Sequence, residues 1–497
     1  MIVSQVPAGH VRAIIECPND EALARAASEL LSGGDPTDSL SRSRYAGGEP
    51  HELDAWDGER TVKTKFQADK RFGAIPIGHG AENSGAEDLR VAIRQPTESD
   101  RFLVSGFVEV SGRIPEYFVL EDKKYPIHSN PLIDGLRPLP PCLPTCVTSQ
   151  AVGTSQDVKR KLDVQTLQDN GLDGSGVALA IVDSGIFRPR IERLLGDALL
   201  PRTIVNLDVL DSWKPHGLVT QPGYHRLGHG TMCAFDALIA APKATLLDFP
   251  MLLARPVADH HSKSMVDAAL AAYAQLANIW WSGTAKPFDA LVVSNSWGMF
   301  HPCLEDFPPG HPYRFIDNPN HAFHYLTEAL AAGGVDIIFC GNNCGNDYNC
   351  AGNCASGACL SKTDRMIMGA NTYEEVLTIG GCDTNDLIVG YSSRGPSIAG
   401  MYQQKPDLVS YTHFLGSKTV GTCLPDTGVS AACPVAAGCV AALRTKVKPT
   451  TVAPSALFQT LRDTAYLSGG GPPGWQPDFG FGIIKPVAAG RALGVIP

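Results

Sequence analysis

No stretch of this chain reaches the ~18–20 consecutive apolar residues of a membrane-spanning helix. The most apolar helical segment, Ala431 to Leu443, is short and contains Pro434, so it is expected to be a core helix. Positive charge is in deficit: 41 Lys and Arg stand against 51 Asp and Glu, a net charge of −10. That balance argues against a nucleic-acid partner, because phosphate backbones are bound through clustered cations. The first apolar stretch contains His10 and Arg12 and therefore lacks the uninterrupted core of a signal peptide. A cytoplasmic location is expected on that ground, or a secreted one if a leader precedes this sequence. Internal repeats and coiled-coil heptads are missing, which excludes repeat architectures. Cysteine is plentiful, with 14 residues, and five of them cluster at Cys340, Cys344, Cys350, Cys354 and Cys359. Their spacing lacks the paired C-x2-C of structural zinc sites, so zinc at Cys340–Cys359 is not expected. Buried thiols suit a reducing compartment and disulfides an oxidising one.

What is present suits a large water-soluble protein: 497 residues, 44% of them hydrophobic, are enough for two domains. Val11 to Glu16 is expected to be a strand, and Asp20 to Leu31 a helix closed by Gly33-Gly34. Residues 35–100 are polar and rich in Gly and Pro, so this stretch is expected to be loop-rich or partly disordered. Arg101 to Leu120 has the alternation of two or three strands. The proline-rich run from Pro138 to Pro144 marks a connector. The domain reading is therefore an N-terminal α+β region over 1–137, a linker over 138–149 and a second domain over 150–497.

Beyond the connector, continuous apolar runs alternate with helix-length segments. Val177 to Val182, Ala244 to Phe249, Ala290 to Ser294, Val335 to Phe339 and Val376 to Ile379 are expected strands. Met265 to Trp281 and His321 to Ala332 are expected helices. Strands without alternation are buried on both faces, which predicts an α/β fold in three layers with helices on both sides of a central parallel sheet. In such sheets, working residues gather where the strands end. Three exits carry polar residues with glycine: Asp183-Ser184-Gly185, Asn295-Ser296-Trp297-Gly298 and Cys340-Gly341-Asn342.

Ser430 follows Gly428-Val429 and opens an Ala-rich helix, where free backbone N–H groups and the helix dipole stabilise an oxyanion. A helix-capping serine would have the same setting. A nucleophilic serine needs a base and an acid that orients the base. His229, between two glycines, is the candidate base, and Asp183, at the exit of a buried strand, is the candidate acid.

The order Asp183, His229, Ser430 and the residues around each one resemble the subtilisin-like serine proteases, the subtilases. Val182-Asp183-Ser184-Gly185-Ile186 resembles that family's aspartate motif, and His229-Gly230-Thr231 its histidine motif. The run Gly428-Val429-Ser430-Ala431-Ala432-Cys433-Pro434 resembles its serine motif. Tyr391 to Pro396, Lys405 to Val409 and Phe479 to Gly482 match further landmarks, over residues 150–490. The chain departs from the family pattern at Val429, in place of threonine, at Met232 to Phe235, and at Ser410 to Thr412.

The resemblance implies a serine endopeptidase acting on a polypeptide substrate through an acyl-enzyme. It implies Asn342 as the oxyanion-hole residue and Ser296, Trp297 and Gly298 as substrate-binding residues. No metal or cofactor is required for the chemistry, and the family's structural calcium ligands find no matching positions here. The same triad would serve a transpeptidase or macrocyclase, and the fold could also serve as a non-catalytic binding module. The N-terminal region is expected either to inhibit the enzyme as a propeptide does or to recruit a protein partner. Cys344 to Cys359 is expected to form a stapled or metal-tied loop beside the specificity pocket.

Overall fold

Antiparallel pairing organises the N-terminal third of the chain. The strands β1 (His10–Pro18), β2 (His51–Trp56), β3 (Thr61–Ala68), β4 (Ala74–Pro76), β5 (Arg101–Glu109), β6 (Tyr117–Leu120) and β7 (Lys123–Ser129) form one seven-stranded sheet. Because β1 pairs with both β5 and β7, the order β1-β7-β6-β2-β3-β5 closes into a barrel, and β4 extends it from β5. The computed structural model describes residues 6–47, 50–80, 85–134, 150–195, 205–254, 263–282, 288–300, 302–345, 365–419, 421–467 and 474–497. The proline-rich connector lies outside them.

The polar stretch 35–100 does not read out as loop: it supplies β2, β3, β4 and the helix Ala86–Arg94. The reason is visible in β3. Lys63, Lys65 and Gln67 face water while Thr64 and Phe66 are buried, so a one-sided strand carries few apolar residues. The helix Glu21–Leu31 starts where expected: the Asp20 carboxylate accepts the Leu23 N–H at 2.8 Å, and Leu23, Ala26, Ala27, Leu30 and Leu31 are buried.

Past the barrel come β8 (Leu132–Asp134), β9 (Val177–Val182), β10 (Thr245–Phe249), β11 (Lys263–Met265), β12 (Ala290–Asn295), β13 (Asp336–Cys340), β14 (Leu377–Cys382) and β15 (Leu408–Tyr411). Six of these make a parallel sheet in the order β10-β9-β12-β13-β14-β15, while β11 pairs antiparallel with β8. The expected buried strands are all present, and β15 is an additional one.

Alternate residues of β9 enter opposite cores. Ala178, Ala180 and Val182 pack with the helices Val266–Ser282 and Ala322–Ala332. Val177, Leu179 and Ile181 pack with the helices Gly228–Ala237 and Val429–Arg444. Each fully buried Val, Leu or Ile contributes roughly 1.5–3 kcal/mol, so a strand buried on both faces is strongly held. A fully buried, bidentate pair between Arg444 and Asp336, at 2.6 and 2.7 Å, fixes the end of the serine helix to the start of β13.

The barrel and the parallel sheet are not independent in packing. Ile14, Leu30, Leu31, Ile75, Leu103 and Ile133 belong to the same core as Leu270, Leu276 and Phe323. No helix among the described residues is long and apolar enough to cross a membrane.

Candidate active site

The site is built at the exits of β9, β12 and β13. β9 lies between β10 and β12, and the Asp183 N–H continues the ladder by donating to the Phe249 carbonyl at 3.0 Å. Asp183 is fully buried. Its Oδ1 accepts the Ser184 N–H at 2.6 Å and lies 2.8 Å from His229 Nδ1. This contact assigns the proton to Nδ1 and leaves Nε2 as the basic nitrogen.

His229 sits in the first turn of the helix Gly228–Ala237, which approaches the Asp183–Gly185 turn closely. A Cβ at Gly230 would stand 2.5 Å from the Gly185 carbonyl oxygen, so any larger residue would push the imidazole away from its carboxylate. The serine helix presses on the same helix: a Cβ at Gly438 would meet the backbone carbonyl of Ala237. Glycine at these two positions sets the spacing between the helix that carries His229 and the helix that carries Ser430.

Ser430 is the second residue of the helix Val429–Arg444 and is 3% exposed. Its carbonyl accepts the Ser296 hydroxyl at 2.9 Å and the Cys233 thiol at 3.4 Å. The same thiol lies 3.6 Å from Asp183 Oδ2, so one small side chain touches both the acid and the serine segment. The Ser430 hydroxyl has no hydrogen bond among the described residues; contacts of this kind often form only with substrate in place. Burial first, then the Asp183 charge, pushes the Cys233 thiol well above its usual range, which keeps it neutral. Asp183, His229 and Cys233 form the one candidate metal-ligand cluster among the described residues, and a neutral thiol is a poor ligand.

The two neighbouring asparagines have different jobs. Asn342 has a left-handed backbone, with φ of 67°, and its amide donates to the carbonyls of Met299 and Met366 at 3.0 and 3.1 Å. The side chain of Asn343 turns towards the serine: its Oδ1 accepts the Val429 N–H at 2.8 Å, and its amide nitrogen borders Gly428. Position alone, without the direction of the turn, does not separate the two.

Among the expected substrate-binding residues, Ser296 reaches the serine segment and Trp297 does not face a groove. The indole of Trp297 is fully buried against the edges of Phe323 and Phe339. Gly298 exchanges two 3.0 Å backbone hydrogen bonds with Asp134 of β8. On its other edge, β8 pairs with β11 in the register Leu132↔Met265, Ile133↔Ser264, Asp134↔Lys263. A strand of the chain itself thus lies between β11 and the segment expected to bind substrate.

A profile of the Subtilase family matches residues 174–482, more than half of the chain. The chain belongs to the subtilase family. Subtilases are serine peptidases acting on polypeptides, and the buried Asp183–His229 pair fits that chemistry. No curated protein matches the sequence.

The cysteines divide between the two chemistries left open by composition. Cys17, Cys233, Cys340, Cys382, Cys433 and Cys439 are buried free thiols, and Cys344 is in a disulfide. Beyond Gly345, the loop expected to be stapled falls outside the described residues up to Arg365.

Proposed function

We propose that this subtilase is a serine endopeptidase with Ser430 as nucleophile, and that its N-terminal barrel inhibits it from within the same chain. The observation that carries the catalytic reading is the 2.8 Å Asp183–His229 contact, with the Cys233 thiol linking Asp183 to the serine segment. Ser430 Oγ attacks the peptide carbonyl as His229 Nε2 takes its proton. Asp183 holds the imidazole in the required tautomer and stabilises the imidazolium. The oxyanion is received by the Ser430 N–H and the Asn343 side-chain amide. The intermediate collapses as His229 protonates the leaving amine, and water then hydrolyses the acyl-enzyme by the same route in reverse.

Asn343 takes the role here because its side chain turns to the serine helix, with Oδ1 on the Val429 N–H, whereas the Asn342 amide points to the carbonyls of Met299 and Met366. The departure at Val429 leaves this arrangement unaffected, since Val429 contributes its backbone N–H to Asn343. The pairing of β8 with Gly298 and β11 supports the inhibitory reading, because an extended polypeptide substrate would use the same backbone groups.

The test is hydrolysis of an unstructured polypeptide by the wild type and by Ser430→Ala. The variant is expected to lose hydrolysis while its thermal unfolding is unchanged; full activity in Ser430→Ala would overturn the assignment. Mass spectrometry of both chains tests the inhibitory reading. A cut after the barrel in the wild type, missing in Ser430→Ala, is expected.

A further inference from the structure

Three arginines surround a cavity of about 420 Å³ beside the proposed base. Arg190 and Arg193 come from the helix Arg188–Leu195, and Arg226 from the turn leading to His229; Phe187, Gly228 and Thr231 are among the other lining residues. In a chain with net charge −10, such a concentration of unpaired cations is unusual. The nearby Glu192 pairs with Arg188 at 3.3 Å instead. Among the described residues, none of the three guanidiniums has a carboxylate partner. Arg190 donates to the Lys418 carbonyl, and its Nε is buried without a hydrogen bond. The Arg226 guanidinium rests over the Phe187 ring, 5.7 Å from its centroid, and both residues line the cavity.

The position of this cavity relative to β8 gives it a direction. Ile133 of β8 packs into the core shared with the helix Val266–Ser282, on one face of the parallel sheet. Ile191, between the two helix arginines, packs into the core on the other face with Met232 and Phe235. His229 lies in the chain between Gly228 and Thr231, which line the cavity, while Ser296, next but one to the Gly298 that β8 pairs with, donates to the Ser430 carbonyl. A polypeptide entering along the β8 path and passing Ser430 therefore runs on towards the arginines. The chain's own segment 135–149 contains no Asp or Glu, so it does not supply the matching charge.

We infer that Arg190, Arg193 and Arg226 form a recognition pocket for a carboxylate side chain of the substrate, on the leaving-group side of the scissile bond. This rests on the peptidase reading above and adds the substrate's charge to it. Planar guanidiniums bind carboxylates through paired N–H donors, and three of them around one cavity select Asp or Glu over neutral and basic residues.

The test uses the full chain carrying Phe66→Ala, which loosens the inhibitory barrel at a fully buried side chain, and peptides identical up to the scissile bond, with Glu, Gln or Lys at each of the next three positions. The Glu peptide is expected to exceed the Gln peptide about tenfold in kcat/KM at its best position, the scale of a few partly exposed charge pairs. That ratio should collapse towards one in an Arg193→Ala/Arg226→Ala double variant. It should also shrink as salt rises to about 0.5 M, where the Debye length falls to a few ångströms. Hydrolysis with a Glu-to-Gln ratio under about twofold, a preference for Lys, or a Glu preference that survives the double variant would overturn the inference and leave the peptidase reading standing. Anisotropy with labelled Glu and Gln peptides on the same chain reads the pocket without turnover. No hydrolysis but an arginine-dependent Glu preference in binding would break the peptidase reading alone, and no hydrolysis with no preference would break both.

Discussion

The antiparallel barrel and the parallel sheet share a hydrophobic core but expose their strands differently. β3 of the barrel turns Lys63, Lys65 and Gln67 to water along its length, whereas all six residues of β9 are buried. A strand buried on both sides has room for polar chemistry only at its ends. That is where Asp183, Ser296 and Asn343 are found. The barrel's polar groups are spread along its strands and loops, and several face the catalytic region rather than a ligand. His128 bonds to Glu16 and accepts the Ala322 N–H, the Ser129 hydroxyl donates to Glu305, and Ser105 and Asn130 donate to Asp267. In the proposed function, the first region does the chemistry and the second holds and covers it.

The strongest way to break this division is in the triad. Asp183→Asn keeps the shape but removes the charge that fixes the His229 tautomer, and kcat is expected to fall about 10⁴-fold. The melting of the barrel should not change. A drop of under about tenfold, read from initial rates, would move the acid elsewhere.

A barrel-core truncation should act in the opposite sense. Phe66 is fully buried, and Phe66→Ala is expected to cost the barrel about 3–5 kcal/mol. Loss of the β8 cover should then raise peptide hydrolysis. Calorimetry and rates on the same sample check both halves, and lower activity in this variant would contradict the inhibitory role.

The two asparagines sharpen the comparison within the sheet. Asn343→Ala is expected to lower kcat by about 10²–10³-fold at nearly constant stability. Asn342→Ala should instead cost about 1–3 kcal/mol of stability, because two buried carbonyls lose their donor. Rates and melting curves of both variants distinguish the roles.

These outcomes bear on what a sequence can carry. Val177 to Val182 announces itself as a strand because nothing in it faces water, and the motifs at Asp183 and His229 bring the pair together as expected. The barrel strands in 35–100 hide because alternating lysines and threonines have the composition of a loop. Which of Asn342 and Asn343 turns its side chain to the serine helix depends on a single left-handed residue that redirects the chain. β8 is three residues long, too short for any periodicity, and its importance comes entirely from what it lies against.

The smallest predicted effect is on pH. Burial holds His311 at about 4 and His321 at about 3; they contact the barrel through the carbonyls of Pro115 and Ser129. Once the barrel is displaced, both return towards the ordinary imidazole value of about 6.5. The displaced state then binds more protons, so docking is fully present above about pH 6.5 and weakens as pH falls towards these values. Glu305, pushed up to about 7 by burial, has the opposite sign and resists release between about 7 and its ordinary value. Asp306, raised by burial and paired with Arg12 of β1, acts in the same sense as Glu305 but with a smaller shift, so the two large histidine shifts give net loosening in acid. Limited proteolysis of the barrel–sheet junction across pH 7 to 4 should show faster cleavage at the acid end, with a smaller pH dependence in His311→Phe.

The central claim is that Ser430 is a nucleophile activated by His229. Intact-mass and peptide-level analysis after treatment with a fluorophosphonate, on the chain with its barrel displaced by the Phe66→Ala substitution, tests it most directly. The account predicts one adduct, on Ser430, that is lost in the additional His229→Ala variant. An unlabelled Ser430, or labelling that persists without His229, would contradict it.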